Sequence, residues 1–206
     1  MASIVDTSGA IFERAAFPPE PVCRLGVDMY EEMIRSGIIT KDARIELLDG
    51  WLVPKMTKNP PHILSAELVR DALHESVPAG WCVFSEQPIR VGTSMPEPDA
   101  TVVRGQRRQY ADRRIQAEDV GLVVEVADAS LSRDQVFKKA IYAQAGIPVY
   151  WLVNLLEQRV EEYTNPTGSA ENADYGQRRD YALADEIPLV LDGRRLASIP
   201  VRDLLP

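Results

Sequence analysis

The chain predicts an α/β domain in which helices flank a mixed β-sheet. Three observations lead there. Two nearly continuous apolar runs, LVVEVA (122–127) and IPVYWLVNL (147–155), read as buried strands. A helix-patterned segment joins them, as a crossover between strands requires. Elsewhere strands follow one another through short turns, so the sheet mixes hairpin and crossover connections. With 206 residues, 45% hydrophobic and 26% charged, the composition is that of one globular domain.

Residues 1–24 read as an N-terminal arm, because FPPEP (17–21) is proline-rich and without periodicity. Residues 25–206 read as a single domain. VDMYEEMIRSG (27–37) predicts a short helix with Met29, Met33 and Ile34 on one face and Gly37 as its stop. RIELLDGWLVPK (44–55) predicts a hairpin about Asp49-Gly50, a pair suited to a tight primed turn. Asn59 and Pro60-Pro61 open a second helix over 62–77, with Ile63, Leu64, Leu68, Ala72 and Leu73 as its apolar stripe. Strands are expected at 81–91, 98–104 and 122–127, with an arginine-rich loop, RGQRRQYADRR, over 104–114. A third helix is expected over 132–146, burying Val136, Phe137, Ala140, Ile141 and Ala143. After 147–155, RVEEYTNP (159–166) reads as an outer strand and 167–176 as a polar loop. Short strands near 179–183, 188–191 and 195–199 close the chain. There is no internal repeat, no G-x-G-x-x-G and no phosphate-loop motif.

Charge and cysteine usage narrow the function. With 23 basic against 31 acidic residues the net charge is −8, which counts against a purely electrostatic nucleic-acid binder. It leaves room for an enzyme whose carboxylates hold divalent cations. Cys23 and Cys82 are too few for a disulfide framework or a cysteine-rich zinc site. No run approaches the roughly 18 apolar residues of a membrane span. The first residues lack the apolar core of a signal peptide, so a cytoplasmic protein is expected.

The chemistry candidates are carboxylates. Glu125 interrupts an apolar strand, which is costly unless it pairs with an arginine in a structural network or holds a metal. Asp99 starts the preceding strand, so the two can converge at one end of the sheet as a Mg²⁺ site, since this hard ion prefers oxygen ligands and keeps waters. Glu46 on the hairpin is either an ordinary strand carboxylate or a third oxygen ligand. Asp134, Lys138 and Tyr142 lie along one helical stripe. That stripe is either a solvated ion pair or a means of placing Lys138 beside the metal, to steady charge developing on phosphorus. His62 opens the second helix, either watered or facing the cleft. It lies about 120° in azimuth from His74, so the two form no zinc pair. Arg104, Arg107 and Arg108, with Arg113 and Arg114, form the locally basic loop, either solvated or contacting substrate phosphates.

ARIELLDGWLV, Pro61-His62, PEPDATVV, LVVEVADAS and DQVFKKAIYAQAGIPVYWLVN, in that order, resemble the Uma family of restriction-endonuclease-like domains, within the PD-(D/E)XK nuclease superfamily. The resemblance runs from about residue 25 to 163. It implies a restriction-endonuclease-like core with the first helix and hairpin as additions, and Mg²⁺-dependent (or Mn²⁺-dependent) cleavage of DNA by a homodimer. Position by position, Asp99 and Glu125 match the motif acids, Glu46 the upstream acid, His62 the family's histidine, and Lys138 a lysine moved from strand to following helix. Two departures stand out. Ala127 occupies the usual lysine position two residues after the glutamate, and Asp128-Ala129-Ser130 replaces the common Ser-Pro-Ser. The alternative reading is a non-catalytic nuclease-fold binding module of a defence or mobile-element system. A two-carboxylate glycosidase is disfavoured, because no aromatic-rich platform lies near Asp99 or Glu125.

Overall fold

A computed structural model describes residues 23–168 and 172–206. The expected arm, apart from Cys23 and Arg24, lies outside the described residues.

Helix α1 (Val27–Arg35) leads into the hairpin of β1 (Ile45–Leu48) and β2 (Trp51–Pro54). α1 buries Val27 and Tyr30 rather than Met29, and the Tyr30 hydroxyl donates to the Ile45 carbonyl at 3.1 Å. Asp49 and Gly50 both take positive φ, 48° and 77°, the primed geometry expected of this pair. A Cβ on Gly50 would lie 2.6 Å from Arg24 Cβ, so the turn needs glycine for space as well as conformation.

Helix α2 (Pro60–Ser76) starts as its sequence predicts, with the Asn59 side chain accepting from the His62 backbone N–H. Its buried row is Ser65, Val69 and Leu73, whereas Ile63 and Leu64 are exposed, contrary to the expected stripe. Ser65 Oγ donates to the Leu204 carbonyl at 2.6 Å, docking this i, i+4, i+8 row on the chain's last turn.

Strands β3 (Trp81–Phe84), β4 (Ile89–Arg90), β5 (Ala100–Arg104), β6 (Ile115–Gln116) and β7 (Val120–Ala127) follow. The run expected as one strand over 81–91 is two, broken where Glu86 turns left-handed, φ 52°. Three stretches then run on as one helical segment: α3 (Leu131–Arg133), a π-helical turn (Asp134–Lys138) and α4 (Lys139–Gln144). Strands β8 (Val149–Asn154), β9 (Arg159–Thr167), β10 (Asp174–Ala182), β11 (Glu186–Leu191) and β12 (Arg194–Pro200) complete the chain.

The central sheet has the order β10-β9-β8-β7-β5-β3. Its neighbours are antiparallel except β7 and β8, which are parallel and joined by the helical crossover. β9 is therefore an inner strand, not the outer one expected. β10 covers it, starting at Asp174 within the stretch expected to be loop. Alternation divides the core. Val102, Leu122, Val124, Val126, Trp151 and Val153 pack under α2 and the β11–β12 hairpin. Val123, Ala127, Tyr150, Leu152 and Tyr163 pack under α4.

The helical segment reverses one expectation. Asp134 and Lys138 are buried while Val136 is 67% exposed and Phe137 is also exposed. The segment crosses the end of the sheet that carries Glu125, so an inward lysine is compensated by ion pairs there that an outward one would forgo.

Candidate active site

Ala100 of β5 pairs with Val124 of antiparallel β7, so the start of one strand meets the end of the other. Asp99 and Glu125, one residue beyond that pair, thus stand as neighbours. Since Ala100 and Val124 point toward α2, both acids fall on the α4 side. They line a cleft of about 260 Å³ together with Glu46 of β1, His62 of α2, and Asp134 and Lys138 of the π-helical turn. Six of the residues singled out in the sequence are thereby brought together.

Asp99 is heavily partnered. Its Oδ2 accepts the Val126 N–H at 2.7 Å. Its Oδ1 lies 2.6 Å from Lys58 Nζ and 3.2 Å from His62 Nε2. Burial works to raise its pKa, but the His62 hydrogen bond and the Lys58 charge outweigh it and hold the carboxyl near 2.

Glu125 has the opposite surroundings. Its Oε1 accepts from Lys138 Nζ at 2.9 Å and from the Tyr142 hydroxyl at 2.6 Å, so both bonds fall on one oxygen. Burial, helped by the nearby Asp134, Asp99 and Glu46 charges, pushes its pKa up to about 8 against the pull of Lys138. Burial alone would discharge Lys138, yet Glu125, Glu46 and Asp134 together push its pKa upward and keep the ammonium. Burial and Glu125 hold Tyr142 as a neutral phenol, a donor that fixes the glutamate. Asp134 is raised by burial, and its Oδ1 has no hydrogen-bond partner among the described residues.

Glu46, expected from the sequence as a third ligand oxygen, has one carboxylate oxygen engaged by a cation and a backbone N–H. Its Oε2 lies 3.3 Å from Lys138 Nζ and accepts the Glu97 N–H at 3.3 Å. The Lys138 ammonium lies between Glu46 and Glu125. Among the described residues no three His, Cys, Asp or Glu side chains form a ready coordination shell. The donor chemistry still fits a hard cation, because Mg²⁺ is usually bound through one or two carboxylates and retains waters. Asp99 and Glu125 offer two carboxylates at the cleft wall, the latter with its second oxygen free of the bonds described above.

The arginine loop lies elsewhere. Arg104, at the far end of β5 from Asp99, pairs with Asp192 and covers the Trp81 ring at 4.5 Å. Arg107 donates to the Val83 carbonyl at 2.6 Å and contacts His74 at 3.1 Å. Neither these two nor Arg108 lines the cleft, so the expected phosphate contacts are not brought to the acids. Besides Lys138 and His62, the basic residues that line it are Arg44, Lys55, Lys58 and Arg133, none of which stands out in the sequence. One signal was present: Lys55 and Lys58 flank the connection from hairpin to α2, immediately before the residues that open that helix.

The geometry agrees with the comparisons. A family model described as "Uma2: Putative restriction endonuclease" matches residues 27–196. The chain belongs to the Uma2 family. Its fold is shared with a crystal structure described as "a putative nuclease belonging to DUF820" from Anabaena variabilis ATCC 29413. That protein is 15% identical, and the match covers 87% of this chain and 97% of that one at a TM-score of 0.64. No curated protein matches the chain. Among the described residues of this Uma2 protein, no helix is long and apolar enough to cross a membrane.

Proposed function

We propose that the cleft is the active site of a nuclease that hydrolyses phosphodiester bonds in DNA with a divalent cation, Mg²⁺ or Mn²⁺. The observation that carries this reading is the buried Lys138 ammonium, held 2.9 Å from Glu125 and 3.3 Å from Glu46 in the cleft that Asp99 lines. Ala127, at the superfamily's usual lysine position, is fully buried in the apolar core under α4. The crossover thus supplies the cation that the strand lacks.

Asp99 and Glu125 would hold the metal, which supplies Lewis-acid polarisation of the phosphoryl group. Lys138 presents a fixed positive charge to the oxygens on which negative charge grows, without reorganising at the moment of reaction. Glu46 and Tyr142 act through others: Glu46 anchors the ammonium and Tyr142 orients the Glu125 carboxylate. His62 and Lys58 hold Asp99. Arg44, Lys55 and Arg133 form a basic rim suited to backbone phosphates, which position DNA without specifying sequence.

The test is calorimetric titration of Mg²⁺ and Mn²⁺ into wild type and Glu125→Ala, paired with cleavage of single-stranded and duplex DNA. Binding by wild type that Glu125→Ala loses, together with metal-dependent cleavage, is the expected outcome. Absence of both from wild type would favour the non-catalytic binding module. That second reading draws support from an Asp99 already ion-paired with Lys58 and in contact with the His62 ring.

A further inference from the structure

Lys58 and Lys138 both touch acids of the cleft, but in different ways. Lys138 is buried and held between two carboxylates. Lys58 sits at the mouth, about a third exposed, its Nζ bridging Asp99 Oδ1 at 2.6 Å and Glu86 Oε1 at 2.5 Å. Asp99 has little left to offer a metal in this arrangement. Oδ2 is engaged by the Val126 N–H, and Oδ1 by Lys58 and His62. A divalent cation on Asp99 and an ammonium on the same carboxylate repel each other, so one weakens the other.

The lysine has somewhere to go. Glu86 is 63% exposed and lines the same cleft. Its backbone N–H donates to the Pro98 carbonyl at 3.1 Å, which ties it to the segment carrying Asp99. A four-carbon stem lets the ammonium leave Asp99 while it stays near Glu86 and the rim. There it joins Lys55, Arg44 and Arg133, where a phosphodiester would arrive.

We propose that Lys58 is a displaceable counter-ion. It holds Asp99 until a divalent cation takes that carboxylate, and is then released to the cleft mouth as a positioning contact for the substrate phosphate. This rests on the reading of the cleft as a cation site. It yields a result of unusual sign, because removing a residue that touches the site should improve metal binding.

The experiment is Mn²⁺ titration of wild type, Lys58→Met, Lys58→Arg and Asp99→Asn, by calorimetry and by the loss of the free-ion EPR signal. Lys58→Met should bind Mn²⁺ about tenfold more tightly, the low end of what a like charge about 4–6 Å away does to an ionic equilibrium. Lys58→Arg, which keeps the charge, should stay near wild type. With Ca²⁺ in place of Mg²⁺, Lys58→Met should bind a short DNA duplex more weakly, with a salt slope smaller by about one. Wild type binding Mn²⁺ and Asp99→Asn losing it, while Lys58→Met binds no tighter, would overturn the counter-ion and leave the cation site standing. Tighter Mn²⁺ with unchanged DNA affinity would overturn the phosphate contact. If neither wild type nor Lys58→Met binds Mn²⁺, the cation site falls and the inference with it. Lys58→Gln replaces Lys58→Met should the latter not fold.

Discussion

Glu125 on β7 and Glu161 on β9 both pair across the sheet with Leu152 of β8, so they stand at one level, on one face, about 10 Å apart. Both are buried. Glu161 is nevertheless saturated. It accepts from Gln135 at 2.9 and 3.1 Å, from Asn154 at 3.0 Å and from the Tyr163 hydroxyl at 2.5 Å, with Arg159 and Arg178 each 3.3 Å away. Both oxygens have donors, and two arginines shared with Glu157 and Asp180 supply the charge, as in a structural ion network. Glu125 receives two donors on one oxygen, shares its one cation with Glu46, and faces a cleft. A buried charge in a strand therefore does not by itself mark a functional site. Oxygen left unspent beside a cavity is what separates Glu125 from Glu161.

Mutations can break this comparison. The largest expected effect is on stability at the saturated site. Glu161→Ala leaves several donors without an acceptor and should cost about 3–5 kcal/mol in denaturant unfolding, the scale of breaking a buried pair. Its metal binding, measured where the variant is folded, should match wild type. Wild-type-like stability would mean that the two glutamates are not different in kind.

Next in size is the loss of the charge proposed to assist cleavage. Lys138→Met should retain the fold and lower metal-dependent DNA cleavage by about 10²–10³-fold, as when one electrostatic stabiliser is removed. Lys139→Met is the control: its ammonium pairs with the exposed Asp174 at 2.8 Å, so it should be nearly silent. Equal rates in the two variants would remove Lys138 from the chemistry.

The smallest effect sharpens the contrast through pH. Glu125 is raised from 4.5 to about 8, so the folded protein holds that proton more tightly than the unfolded chain. Its contribution to stability is full below about 4.5 and is lost as pH rises through 8. In EDTA, wild type should therefore lose stability relative to Glu125→Gln as the pH rises from 5 to 9. Parallel stability curves for the two proteins would show that Glu125 is as well compensated as Glu161.

Much of the site was legible because its signals are local. A glutamate within LVVEVA, an aspartate heading the preceding strand, and a four-residue spacing from Asp134 to Lys138 to Tyr142 each survive folding unchanged. What the chain alone could not give was direction. Helical periodicity groups Asp134 with Lys138 and, separately, the apolar residues, but only the acids waiting on β1 and β7 decide which group turns inward. Hydrophobicity alone sends the apolar Val136 and Phe137 to the core, and ion pairing prevails over it. Glu161 was missed for a related reason. RVEEYTNP has an outer strand's polarity, and the donors that make it an inner one come from Gln135, Asn154, Arg159, Tyr163 and Arg178, mostly on other elements. The arginine loop misled because charge density in sequence carries no information about which end of a strand faces the acids.

The π-helical turn carries a constraint on how this protein can change over generations. From its five residues Gln135 reaches Glu161 while Asp134 and Lys138 line the cleft with Glu125. One turn thus serves two networks on neighbouring parts of the sheet. Exposed Val136 and Phe137 leave room for substitution, but a gain or loss of one residue there would rotate one side against the other by about 100°. Such a change would uncouple the lysine from its glutamate or strip the second glutamate of a donor. The segment should accept drift in composition freely and drift in length hardly at all.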